Sequence, residues 1–133
     1  MEVSPIPDDT FPSVLGLVMV EAGPNRVIGT LDVERRHHQP YGVVHGGVYC
    51  AIVETLASWG GALWAMERGL AGVVGVSNST DFLRPHKEGL LTGTANPLHR
   101  GRTQQVWLVD ITNSDGKLVA HGQVRVQNLS TLP

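Results

Sequence analysis

Between Gly42 and Met66 the chain reads GVVHGGVYCAIVETLASWGGALWAM, and after His45 it holds a single charged side chain, Glu54. A run this apolar predicts about twenty residues of buried helix. At about 100° per residue, Val48, Ile52, Leu56, Trp59, Leu63 and Met66 form a bulky stripe fit to pack on a sheet. Glu54 falls on the opposite side, among Gly47, Cys50, Ala51, Ser58, Gly61, Ala62 and Ala65, all small enough to let a backbone or a ligand approach it. Gly69 and Gly72 bracket the expected exit. A membrane span is disfavoured, because Glu54 sits near the middle and Gly46, Gly47, Gly60 and Gly61 dilute the run.

The flanking patterns have the period of strands. Residues 1–13, with Pro5, Pro7 and Pro12, read as an irregular arm or short turn ahead of a single domain over 14–133. Val14 to Val20 and Arg26 to Val33 predict two strands joined through Ala22-Gly23-Pro24-Asn25, and Arg35 to Tyr41 a polar loop. After the helix, Val73 to Leu83, Leu90 to Leu98, Thr103 to Thr112 and the alternating segment from Leu118 to Gln127 predict a four-strand antiparallel meander. Asn113-Ser114-Asp115-Gly116 is a strong hairpin signal within it. The fold class this implies is α+β, a curved antiparallel sheet wrapped around one long central helix. The small-residue face of that helix still needs cover, and a second copy of the chain is the simplest supply.

Composition narrows the function classes. The 133 residues make one domain, and a net charge of −2 gives no electrostatic footprint for nucleic acid or an anionic membrane. Charged residues are 17%, below the roughly 25% of soluble domains, and there are 16 glycines, which together suggest extra buried surface and an oligomer. The lone cysteine, Cys50, and a start without a basic or apolar leader pattern point to a reducing compartment, the cytoplasm.

A carboxylate inside an apolar helix is paired, protonated or at work, and pairing with an Arg across an interface is the structural alternative. Gly46 and Gly47 leave the first amides of the helix unobstructed at its positive end, a place to stabilise an oxyanion. His45 and Glu54 are nine residues apart, so the helix separates them by roughly 13 Å and turns them about 180°. If both serve one site, Glu54 must meet the helix entrance of a neighbouring protomer. Ser58 shares the Glu54 face and could hold the carboxylate or a water. Basic groups collect in two loops, Arg84/His86/Lys87 and His99/Arg100/Arg102, which suits a phosphorylated ligand and equally suits solvated loop charge. His37 and His38 have no further ligand at metal-site spacing and read as a solvated loop, so no metal is expected. Nucleophile elbow, phosphate loop and dinucleotide fingerprint are all missing, and Cys50 reads as a packing residue.

The pattern Gln39-Pro40-x-Gly42-x-x-His45-Gly46-Gly47, with Glu54 and Ser58 at fixed distances, resembles the hotdog-fold acyl-CoA thioesterases. The resemblance extends from about Leu15 to Val126. It is to the branch of the phenylacetate-pathway, Arthrobacter-type 4-hydroxybenzoyl-CoA and 1,4-dihydroxy-2-naphthoyl-CoA thioesterases. It implies that Glu54 is the catalytic nucleophile or base and that the Gly46 N–H polarises the thioester carbonyl, with His45 fixing the turn. Gln39 would sit near the thioester or the water, and Ser58 would assist hydrolysis. Coenzyme A would lie along Gly47, Gly75, Phe82, Leu83, Arg84 and Pro85, its nucleotide phosphates at His99, Arg100, Gly101, Arg102 and Thr103. Sites between two chains, dimers pairing into homotetramers, and no cofactor beyond the coenzyme A of the substrate are implied as well. Hydration of an enoyl-CoA and non-catalytic acyl-CoA binding are the alternatives on the same fold.

Overall fold

A computed structural model describes residues 6–133; the first five residues of the expected arm, Pro5 included, lie outside the described residues. One long helix, α2 (Gly46–Met66), is wrapped by a six-stranded antiparallel sheet, the hotdog arrangement. The strands are β1 (Val18–Ala22), β2 (Val27–Val33), β3 (Gly72–Phe82), β4 (Gly89–Arg100), β5 (Gln104–Thr112) and β6 (Leu118–Leu129). Their order across the sheet is β1-β2-β4-β5-β6-β3.

Two local expectations change before the helix. Where a strand was expected from Val14, a short helix, α1 (Phe11–Leu15), forms instead. Pro12 suits a first helical turn, and Gly16 at φ +89° closes the last one, its N–H donating to the Ser13 carbonyl. The polar loop holds one turn of 3-10 helix at Arg35–His37, and His37 is buried rather than solvated. Its Nδ1 accepts the Glu34 N–H at 2.8 Å and its Nε2 donates to the Leu15 carbonyl at 2.6 Å, which ties the loop to α1.

The meander has three strands, not four. β3 pairs with β6 at the far edge, while β4 joins β2 on one side and β5 on the other. The expected β3–β4 turn is in fact a crossing along the end of the sheet. Leu83 and Arg84 N–H groups donate to the Val119 carbonyl, and farther on the His86 carbonyl accepts from Val44 N–H beside the α2 entrance. Pro97 is tolerated inside β4 because β2 pairs only as far as Ala95.

The helix also sits rotated from its expected seat. Val48, Ile52 and Leu56 enter the core, joined by Tyr49, Val53, Ala57, Gly60 and Gly61, but Trp59 and Leu63 are half-buried and Met66 is exposed. Trp107 of β5, fully buried, explains the turn: a Cβ on Gly60 would lie 2.5 Å from its ring. The indole needs a helix face without side chains, and Gly60 supplies it, with Gly61 alongside against Val126.

Candidate active site

Glu54 lies midway along α2, partly buried, and two side chains hold its carboxylate. Asn78 of β3 donates its amide to Oε1 at 3.1 Å and also to the Cys50 carbonyl at 3.1 Å. Ser58, one turn along the helix, donates to Oε2 at 3.3 Å. No Arg or Lys forms an ion pair with Glu54 among the described residues. Gly75 lies against the same carboxylate, and a Cβ there would collide with Oε2. The bulge between Gly75 and Ser77 lets the β3 backbone close on Glu54 while aiming Asn78 back at the helix.

Beside Glu54, Thr55 and Ser58 runs a groove of about 500 Å³ whose remaining walls are Trp59, Ala62, Leu63, Met66 and Val73. The rotation of α2 that seats Gly60 on Trp107 is what turns these bulky side chains into the groove. One flank is therefore a carboxylate with two hydroxyls, and the rest is apolar. Asn78 and this groove were not found from sequence; the polar run Ser77-Asn78-Ser79-Thr80 within a strand was the available signal for Asn78.

The helix entrance forms a second pocket, of about 270 Å³, lined by Gln39, Gly46, Tyr49, Phe82, Leu83, Arg84 and Pro85 among others. His45 caps the helix, its Nδ1 accepting the Gly47 N–H at 2.8 Å, and the Val48 N–H donates to the His45 carbonyl at 2.9 Å. That leaves the Gly46 N–H without an acceptor among the described residues. Phe82 packs its ring directly on Gly46, where any Cβ would strike it, and stands 5.7 Å from the Tyr49 ring. Gln39 accepts the Tyr41 N–H through its side-chain oxygen. The buried Tyr49 hydroxyl has no partner among the described residues, and burial pushes its pKa up to about 12. This pocket and the Glu54 groove share no lining residue within one chain.

A carboxylate without a cation, a free amide at a helix entrance in a separate pocket, and an apolar groove suit attack on an acyl carbon. The family model of the thioesterase superfamily matches residues 41–120, which include Gly46, Glu54, Ser58 and Asn78. The chain belongs to the thioesterase superfamily. A Mycobacterium tuberculosis protein named as an esterase is 52% identical over 124 residues, covering 92% of this chain and 89% of that protein. The solved structure of that mycobacterial protein superposes with a TM-score of 0.89 over 92% of this chain and 98% of the other, at 51% identity. The structure of a Haemophilus influenzae thioesterase gives 0.87 at 34% identity, covering 95% of this chain and 87% of that one.

In the structure the basic turn from His99 to Thr103 is divided. His99, Gly101, Arg102 and Thr103 line a depression of about 570 Å³ together with Gln104, Val106 and Arg125. Arg100 is not among them. Its guanidinium donates to the Pro24 carbonyl and to Asn25 Oδ1, both at 2.8 Å, and lies 5.5 Å from the Trp64 ring. Among the described residues no cluster of three His, Cys, Asp or Glu is placed to hold a metal, and no helix is long and apolar enough to cross a membrane.

Proposed function

We propose that this chain hydrolyses an acyl- or aryl-coenzyme A thioester to the free acid and coenzyme A. The observation that carries the reading is Glu54, an acid held by Asn78 and Ser58 without a cation at the polar flank of an apolar groove. The groove takes the acyl group. Glu54 attacks the thioester carbon itself, expelling the coenzyme A thiolate and leaving a mixed anhydride that water hydrolyses. Alternatively it takes a proton from a water that Ser58 helps to hold, so that this water attacks and the expelled thiolate regains the proton. The Gly46 N–H, at the positive end of α2, receives the charge that develops on the carbonyl oxygen.

Those two groups face different pockets of one chain, so the working site pairs Glu54 of one protomer with Gly46 of its partner. β3 is the natural seam. It is an edge strand, largely exposed, with Val74 and Val76 open to solvent, and it borders Glu54 through Gly75 and Asn78. Dimers along this seam, paired further into tetramers, leave coenzyme A to run along Phe82 to Pro85 toward the basic turn. The enzyme works in the cytoplasm, where Cys50 stays reduced.

A panel of coenzyme A thioesters followed with a thiol reagent tests this. The wild-type protein releases free thiol. Glu54→Gln lowers turnover by about 10²- to 10⁴-fold, the range for loss of a positioned acid–base group, with unchanged circular dichroism. Turnover near wild type in that variant would show that Glu54 does not carry the chemistry.

A further inference from the structure

The depression at the β4–β5 turn is lined by two arginines that lie 23 residues apart in sequence, Arg102 and Arg125. We propose that Arg125 of β6 is a ligand for the phosphate groups of the coenzyme's nucleotide, in place of Arg100. The inference rests on the thioesterase reading only in naming coenzyme A as the source of those phosphates.

Among the described residues Arg125 has no hydrogen-bond or ion-pair partner through its side chain. It is exposed on the outer face of the sheet, with Val106 of β5 and Ser77 of β3 as its register partners. The nearest acids in register, Asp81 and Asp110, both stand opposite His121, four residues away along β6, or about 13 Å. Asp110 is already engaged by His121 Nδ1 at 2.7 Å. None of the ion pairs among the described residues includes Arg102 or Arg125. Two arginines lining one depression with His99 and Thr103, and no Asp or Glu among its lining residues, suit the bidentate recognition of phosphate oxygens.

The turn itself is arranged for an anion. Asn128 donates its amide to the Gly101 and Arg102 carbonyls, each at 3.0 Å, and its backbone N–H to the Thr103 carbonyl at 2.8 Å. Its own Oδ1 accepts from the buried Gln105 at 2.8 Å, and Gln105 also donates to the Gly61 carbonyl at 3.0 Å. Three carbonyl oxygens that would repel phosphate are thus drawn inward and fixed to the core. Fewer acceptors are left facing a ligand, and the turn is set before the ligand arrives.

Two measurements on the full chain test the assignment. Adenosine 3′,5′-bisphosphate, the nucleotide end of coenzyme A without the thioester, is titrated calorimetrically into wild type and Arg125→Ala. Affinity falls about tenfold in the variant, the scale of one hydrogen-bonded charge contact, and recovers in part in Arg125→Lys. In turnover, the ratio of kcat/KM for an acyl-CoA to that for the same acyl group on pantetheine falls about tenfold. Equal affinity for the bisphosphate in wild type and variant overturns the proposal, as does no detectable binding to wild type at millimolar concentration. So does an equal fall with both thioesters, which would mark a structural role. If no thioester is turned over at all, the thioesterase reading fails while the calorimetric arm still decides Arg125. An unchanged melting temperature confirms that the exposed substitution leaves the fold intact.

Discussion

Glu54 is held by Ser58 from its own helix and by Asn78 from a strand 24 residues away in sequence. The first contact was legible in the sequence, because one charge in an apolar helical run stands out and a serine four residues on shares its face. The second was not, since only the bulge at Gly75 decides that Asn78 faces the helix. Tyr49 was equally hidden, as an aromatic residue in an apolar run gives no sign of whether its hydroxyl will find a partner. Its hydroxyl is buried and unpartnered among the described residues, so Tyr49→Phe loses no hydrogen bond and relieves about 1 kcal/mol of desolvation cost. Burial also raises the phenol to about 12 in the folded chain, against about 10 when unfolded. Below pH 10 the phenol is protonated in both states and the contribution to stability is complete. Between about pH 10 and pH 12 the unfolded chain ionises first, so the folded state binds more protons and stability falls as pH rises. Urea unfolding at pH 7 and pH 11 should therefore show Tyr49→Phe at least as stable as wild type at the lower pH, with its margin widening at the higher. A variant less stable at pH 7 would mean that the hydroxyl has a partner after all.

At the scale of elements, the long helix and the strands around it follow from periodicity, and the resemblance gave their arrangement. What periodicity could not give is which arc of the helix meets the sheet. Val48, Ile52 and Leu56 begin the bulky stripe and do enter the core, yet Trp59, Leu63 and Met66 continue the same stripe and line the groove instead. The arbiter is a side chain on another element, Trp107, whose ring requires Gly60 beneath it. The same kind of distant arbitration places β3 beside β6, because hairpin-like turn residues at Pro85 to Gly89 serve a crossing pinned by Val119 and Val44. Gly60→Ala measures how firmly the seat is fixed. The new methyl would gain up to about 1 kcal/mol of helix propensity but would meet the Trp107 ring at 2.5 Å, in a core where overpacking costs about 1–3 kcal/mol. Trp107 cannot retreat easily, as its indole N–H donates to Gln105 Oε1 at 2.8 Å within the buried network. The expected net loss is about 1–2 kcal/mol by denaturant unfolding. A stabilised variant would show that the helix can roll on the sheet.

The whole molecule is where the two halves of the chemistry meet or fail to meet. Within one chain the acid opens into the groove and the free Gly46 amide into the pocket at the helix entrance, and in the proposed symmetric dimer each acid meets the other chain's amide. That arrangement makes a prediction no single variant can test. Glu54→Gln disables the acid; Gly46→Pro removes the amide proton while occupying a first helical position that proline tolerates. The proline ring displaces Phe82, an exposed side chain with room to move. Each variant alone is close to inactive. Unfolded together and refolded at equal amounts, half of the dimers carry one chain of each kind, and in those one of the two sites unites an intact acid with an intact amide. Activity should return to roughly a quarter of the wild-type value, the product of those two halves. Sites built within single chains would give no recovery at any mixing ratio, because every chain in the mixture lacks one of the two groups. Mixing ratios other than one to one should lower the recovered activity on either side of the maximum, which separates true pairing across the seam from residual activity of either variant.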